Sequence, residues 1–290
     1  MAVDELTPRI LDLTAHIIKL NPAHYTVWLY RASALFKLNS PLQVELEWLN
    51  EIALANQKNY QIWHHRQLIV EAIFPSLVTP AEQQEFAKSE VDFITIMFEE
   101  DSKNYHVWSY RQYLVRKMSL FPSQTASTPL PNELTSIETL VRNDVRNNSA
   151  WSHRFFVVFS DPNISTPGSK ATEPDTAVPG AVIDREIEVA KSAIWRAPQN
   201  QSPWNYLRGV LRKGGRGVET LTCFAEEFVK FDEANDTEDV KSSHALDLLA
   251  DIWTAKGERQ QADKALRLLG EKYDPIRKNY WEWRRDSLAL

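Results

Sequence analysis

Six tryptophans recur in related strings along this chain, and that recurrence limits it to an array of similar units. Trp28, Trp63, Trp108, Trp151, Trp204 and Trp281 close the strings NPAHYTVW, NQKNYQIW, DSKNYHVW, DVRNNSAW, APQNQSPW and DPIRKNYW. Arg follows three residues after Trp in five of the six (Arg31, Arg66, Arg111, Arg154, Arg284), with Leu207 the exception. Seven residues before Trp stands Asn21, Asn56, Asp101, Asp144 or Asp274, with Ala197 the exception. The gaps of 35, 45, 43, 53 and 77 residues are those of a helical repeat stretched by insertions.

The unit can be read from residue chemistry. Asn and Asp are good helix N-caps, and Pro22 and Pro275 follow two of them at what would be the first helical position. Tyr25, Trp28, Ala32 and Leu35 then recur at three- and four-residue steps, one face of a helix. Leu42, Leu46, Leu49 and Ala53 mark a second amphipathic helix. Each unit is therefore expected to be a helical hairpin whose apolar face is completed by its neighbours. Trp should fill the space between hairpins, and its Arg should cap carbonyls or pair with a carboxylate. The segments 121–133 and 160–180, rich in Pro, Ser, Thr and Gly, are expected to be flexible loops. KGGRG at 213–217 reads as a helix terminator, and a helix ending near Gly257 should be followed by another over 258–272. The expectation is an all-α solenoid of stacked hairpins forming one helical-repeat domain over 1–290.

Composition excludes several functions. There are only 8 glycines, and neither GxGxxG nor GxxxxGK[ST] occurs. A net charge of −6 argues against nucleic acid as a partner of the whole surface. One cysteine, Cys223, allows no disulfide within the chain and no cysteine-rich zinc site, and it is expected to be a buried apolar residue on a helix. His64 and His65 point about 100° apart on a helix and cannot jointly clamp a metal, and HExxH is absent, so no metal site is expected. No serine or cysteine nucleophile has a recognisable base, so the chain alone does not read as a complete enzyme. With no apolar leader and no membrane-length apolar run, the expected location is the cytoplasm.

Lys58, Lys103 and Arg146 each stand five residues before a tryptophan. If the caps lie where the pattern puts them, these cations occupy the first helical turn, against the helix dipole. Equivalent violations in adjacent repeats mark candidate function, and a row of such turns would suit a phosphate-like anion, with Tyr60 and Tyr105 adding hydroxyls. A plainer reading makes them solvated side chains whose long stems reach away from the dipole. Both readings stay open on residue chemistry.

The strings NPAHYTVW, NQKNYQIWHHR, DSKNYHVW, RNNSAW and NQSPWNYLRG closely resemble the repeats of the alpha subunits of protein farnesyltransferase and geranylgeranyltransferase type I, in order and over about residues 10–290. The resemblance implies a right-handed, crescent-shaped superhelix of hairpins wrapped around a separate beta subunit. It implies one half of an enzyme that transfers a farnesyl or geranylgeranyl group from a prenyl diphosphate to the cysteine of C-terminal CaaX proteins. In that family Zn2+ sits in the beta subunit and makes the substrate cysteine a thiolate, and Mg2+ accompanies the diphosphate. Carried over by motif, Lys58 would neutralise charge on the leaving diphosphate, with Tyr60 beside it as a second catalytic candidate. Asn104, Tyr105 and His106, with Lys103 as a weaker match, would face the diphosphate. Gln61 would bind the CaaX carboxylate, and Tyr25 would line the peptide groove. The family usually begins with a proline-rich arm and one further hairpin, whereas this chain starts almost at the repeat containing Trp28. The 160–180 linker is longer than usual, and Lys278 replaces the tyrosine found three residues before Trp in the first three repeats. The relative with similar repeats, the alpha subunit of Rab geranylgeranyltransferase, is one alternative. A scaffold without chemistry is the other.

Overall fold

The computed structural model describes residues 6–125, 132–232, 235 and 237–288; residues 126–131 of the expected 121–133 loop lie outside them. The chain groups into two compact units, Met1–Ser136 and Ile137–Leu290. In the first, α1 (Pro8–Leu20) packs on α2 (Tyr25–Lys37), α3 (Leu42–Ala55) on α4 (Tyr60–Ile73), and α5 (Pro80–Glu100) on α6 (Tyr105–Lys117). A short α7 (Pro122–Thr125) and the start of α8 (Glu133–Asn143) follow.

The tryptophan of each hairpin is buried and closes its own turn. The indole N–H of Trp28 donates to the Pro22 carbonyl at 2.8 Å, that of Trp63 to Gln57 at 3.0 Å and that of Trp108 to Ser102 at 2.9 Å. The ring also meets the next hairpin: Trp28 lies 5.0 Å from the His65 ring, and Trp63 lies 5.5 Å from Tyr110. Trp28, Ala32 and Leu35 are buried as their spacing implies, but Tyr25, in the first turn of α2, is exposed.

In the first unit the Asn or Asp seven residues before Trp does not start a helix, whereas Asp274 does stand as expected at the N-cap of a short 3-10 turn, Pro275–Arg277. Asn21, Asn56 and Asp101 cap the C-terminal ends of α1, α3 and α5. α4 and α6 are instead capped by Asn59 and Asn104, whose side chains accept the N–H groups of Gln61 at 2.9 Å and His106 at 3.0 Å, while α2 starts at His24 without a side-chain cap. An Asx side chain can also close a turn by accepting the N–H two residues on, as Asn21 does from Ala23 and Asp101 from Lys103. Turn and N-cap therefore share one residue chemistry, and the pattern placed the cap one turn too early. Lys58, Lys103 and Arg146 consequently precede the N-caps Asn59, Asn104 and Asn147, and lie outside the first helical turn. Lys58 and Lys103 also sit two residues beyond the C-caps Asn56 and Asp101, where the preceding helix dipole favours a cation. The supposed conflict with the dipole disappears.

Arginine three residues after tryptophan joins one hairpin to the next. Arg31 forks onto Glu45 of α3 at 2.7 and 2.6 Å, Arg66 onto Glu90 of α5 at 2.9 and 2.6 Å, and Arg111 onto Glu133 of α8 at 2.6 and 3.0 Å. All six side chains are buried. The residue two after tryptophan adds a third donor: His65 meets Glu45 at 2.8 Å, and the Tyr110 hydroxyl donates to Glu90 at 2.6 Å. Burial drives the Glu45 carboxyl upward, but hydrogen bonds from His65 and Arg31 outweigh it and hold the group below its ordinary value of 4.5. Burial, and then the Glu90 charge, push the Tyr110 hydroxyl well above 10.

The second unit repeats the device. α9 (Asn148–Phe159), α10 (Gly180–Arg196) and α11 (Gln201–Lys213) carry the Arg154–Glu186 fork at 2.6 and 3.1 Å, with the Tyr206 hydroxyl donating to Glu186 at 2.6 Å. Trp151 and Trp204 close their turns onto Val145 and Pro198. Where Leu207 replaces arginine, the adjacent Arg208 joins Arg284 of α15 (Lys278–Leu288) on Asp247 and Asp251 of α13 (Ser243–Lys256). The irregular connection over 160–179 is anchored by Asp175, which accepts from the Thr166 hydroxyl at 2.8 Å and faces the buried Lys213 ammonium at 3.5 Å.

Gly257 ends α13 with φ +78, a conformation that suits glycine, and α14 (Arg259–Leu268) follows. Two further features depart from the sequence reading. β1 (Val229–Asp232) and β2 (Thr237–Val240) pair antiparallel, with Val229 opposite Val240. Cys223 is exposed, because the five-residue α12 (Thr222–Glu226) turns Phe224 and Ala225 inward instead.

Glu90→Ala leaves the Arg66 charge buried without its carboxylate, and should lower stability by about 3–5 kcal/mol in denaturant unfolding; a loss below about 1 kcal/mol would remove the fork from the account. Glu45 and Glu186 both have depressed folded values. Their contribution is complete above the ordinary glutamate range and is lost as pH falls through those lower values. Calorimetry should accordingly show the melting temperature steady down to about pH 5 and falling below it; a flat profile to pH 3 would contradict the assignment.

Candidate functional site

The first unit opens a hollow of about 690 Å³, lined by Ala23, by Leu54 and Ala55 at the end of α3, by the turn residues Asn56 to Asn59, and by Tyr60 and Gln61 at the start of α4. Lys58 lies in this turn with its side chain 77% exposed. Its ammonium stands 3.6 Å from an oxygen of Asp101, the C-cap of α5 in the next hairpin. Tyr60, the first residue of α4, is exposed. Gln61 is buried, and its amide donates to the Tyr60 hydroxyl at 2.6 Å.

The next hairpin grips the main chain of the same turn. The buried Asn104 uses its amide to donate to the Gln57 carbonyl at 3.0 Å, while its oxygen caps α6. The Gln57 carbonyl thus accepts from both Trp63 and Asn104. His106 is hydrogen-bonded to the Lys58 backbone; burial outweighs that bond and lowers the imidazole below 6.5. His106 is therefore neutral at pH 7 and adds no second positive charge. The Tyr105 ring lies 3.9 Å from that of His106.

The structure therefore brings Lys58, Tyr60 and Gln61 into one hollow and ties Asn104 and His106 to its turn. Tyr105 joins through His106. Tyr25 and Lys103 are exposed and are not among the lining residues, although Ala23, two positions before Tyr25, is. Sequence reasoning missed Asp101 as the neighbour of Lys58, because the pattern cast it as a helix cap. It also missed the Gln57 carbonyl, since a backbone acceptor leaves no mark in a motif. Among the described residues, no group of three or more His, Cys, Asp or Glu is arranged to hold a metal, and no helix is long and apolar enough to cross a membrane.

Asn104→Ala removes a cap and one of the two donors to Gln57. It should cost about 1–2 kcal/mol in chemical unfolding, and a change under about 0.5 kcal/mol would show that the link between hairpins carries no energy.

The chain is similar to known proteins along its length. The repeat family described as "Protein prenyltransferase alpha subunit repeat" matches residues 8–38, 42–73, 87–118, 130–161 and 183–214. The chain is 36% identical, over its whole length and 86% of the relative, to the Candida albicans protein farnesyltransferase/geranylgeranyltransferase type-1 subunit alpha. It is similar to a chain of the solved Candida albicans protein geranylgeranyltransferase-I complexed with GGPP, with a TM-score of 0.82, 36% identity and coverage of 98% of this chain and 85% of that one. The mouse geranylgeranyl transferase type-2 subunit alpha is 26% identical, over 71% of this chain and 34% of the relative.

Proposed function

Since the chain belongs to the protein prenyltransferase alpha-subunit family, we propose that it is the alpha subunit of a heterodimeric protein farnesyltransferase/geranylgeranyltransferase type I. In this reading it is active only with a beta subunit, works in the cytoplasm, and helps transfer a prenyl group from prenyl diphosphate to the cysteine of a CaaX protein. Similarity along nearly the full length supports the type-1 assignment, whereas the type-2 relative matches over a smaller share.

The observation that carries the reading is the setting of Lys58. Its turn is held by the bonds to Gln57 and by the contact of His106 with its backbone, while its ammonium is left exposed at a hollow. A cation on a fixed base and a free stem suits a leaving group whose negative charge grows during reaction. Lys58 would stabilise the departing diphosphate, with the Tyr60 hydroxyl beside it. Gln61 spends one amide N–H on Tyr60 and has a second for the CaaX carboxylate. Asn104 and His106 would act by holding the Lys58 turn toward the diphosphate, with Tyr105 and Lys103 at its edge and Tyr25 along the peptide path. The zinc of such an enzyme, assigned here to the beta subunit, would supply a thiolate form of the substrate cysteine, and magnesium would accompany the diphosphate.

Co-expression with a farnesyltransferase beta subunit should give CaaX-peptide prenylation that neither chain shows alone. Lys58→Ala should slow that transfer by roughly ten- to a thousandfold without changing assembly or melting temperature. Full turnover of the assembled variant would exclude Lys58 from the chemistry.

A further inference from the structure

Asp101 carries a charge that its local structure does not require. It caps the C-terminal end of α5, where the helix dipole disfavours an anion. Its backbone is fastened on both sides, its N–H donating to the Met97 carbonyl at 3.1 Å and its carbonyl accepting from Asn104 at 3.1 Å. One carboxylate oxygen closes the turn by accepting the Lys103 N–H at 3.0 Å. A neutral amide does that job equally well, since Asn21 closes the matching turn after α1 from Ala23 at 3.2 Å. The second Asp101 oxygen faces Lys58 of the preceding hairpin at 3.6 Å.

Resting on the assignment of Lys58 above, we propose that Asp101 is a positioning residue: its carboxylate aims the Lys58 ammonium at the place where diphosphate charge develops. The lysine turn and the aspartate are held in one frame, because Asn104 of the Asp101 turn bonds the Gln57 carbonyl next to Lys58. The lysine stem has four rotatable bonds and is otherwise free in solvent, so a fixed anion narrows the directions it samples before substrate arrives. Lys58 is exposed and Asp101 half-buried at the surface, so the pair contributes little to stability. Its effect falls on how the lysine is presented.

The test is Asp101→Asn in the heterodimer, because asparagine keeps the turn acceptor and removes only the charge. Steady-state and single-turnover transfer would be measured for the wild type, Lys58→Ala, Asp101→Asn and the double variant. Asp101→Asn should lower kcat by about five- to twentyfold while the KM for prenyl diphosphate stays within about twofold. In the Lys58→Ala background the same change should have no effect beyond about twofold. Unaltered kcat for Asp101→Asn, or an equal loss with and without Lys58, would overturn the proposal; the second result would mark a merely structural role. Full activity of Lys58→Ala is a different failure, since it removes the Lys58 reading and this inference with it.

Discussion

A buried arginine–glutamate fork is the interaction on which the hairpins depend. Moving either charge out of water is costly, and the cost is offset only when every partner is present in good geometry. Each glutamate here accepts two bonds from the arginine of one hairpin; Glu45, Glu90 and Glu186 accept another from the His or Tyr of the next. A hairpin displaced by one turn would leave a buried charge unpaired, so the fork sets register as well as contact. Arginine suits the task because its planar guanidinium matches a carboxylate in two bonds at once. Arg66 also lies over the Phe93 ring at 3.9 Å, so its flat face is covered by apolar carbon while its edge is spent on Glu90.

With the helices registered by these forks, the turns between them become rigid enough to present side chains. The Gln57 carbonyl takes one donor from its own hairpin and one from the next, which immobilises the peptide just before Lys58. The local order of stability follows: buried indole and asparagine below, exposed lysine and tyrosines above. A flexible cation on an immobile base is the arrangement that both proposals for this hollow use.

Much of this was legible in the residues. The spacing of Trp28, Trp63 and Trp108 implied hairpins, and a carboxylate partner was one of two expected fates for Arg31, Arg66 and Arg111. The strings NYQ and NYH pointed to the turn that lines the hollow. What misled was Asn and Asp chemistry: the same side chain closes a turn or caps a helix, so Asn56 and Asp101 were placed at helix starts when they stand at helix ends. Cys223 was misjudged because a helix of five residues has too few turns for its pattern to declare an inner face.

The sequence by itself determined the repeat, its tryptophan anchors and the family, since these rest on local spacing and on residue types that recur along the chain. Only the tertiary structure decided which glutamate receives each arginine, because Glu45, Glu90, Glu133 and Glu186 lie 14 to 32 residues further along at no constant interval. It alone set Asp101 opposite Lys58 and Asn104 on the Gln57 carbonyl. Those contacts join turns more than forty residues apart, and their distances follow from how helices stack, which no spacing within one repeat records.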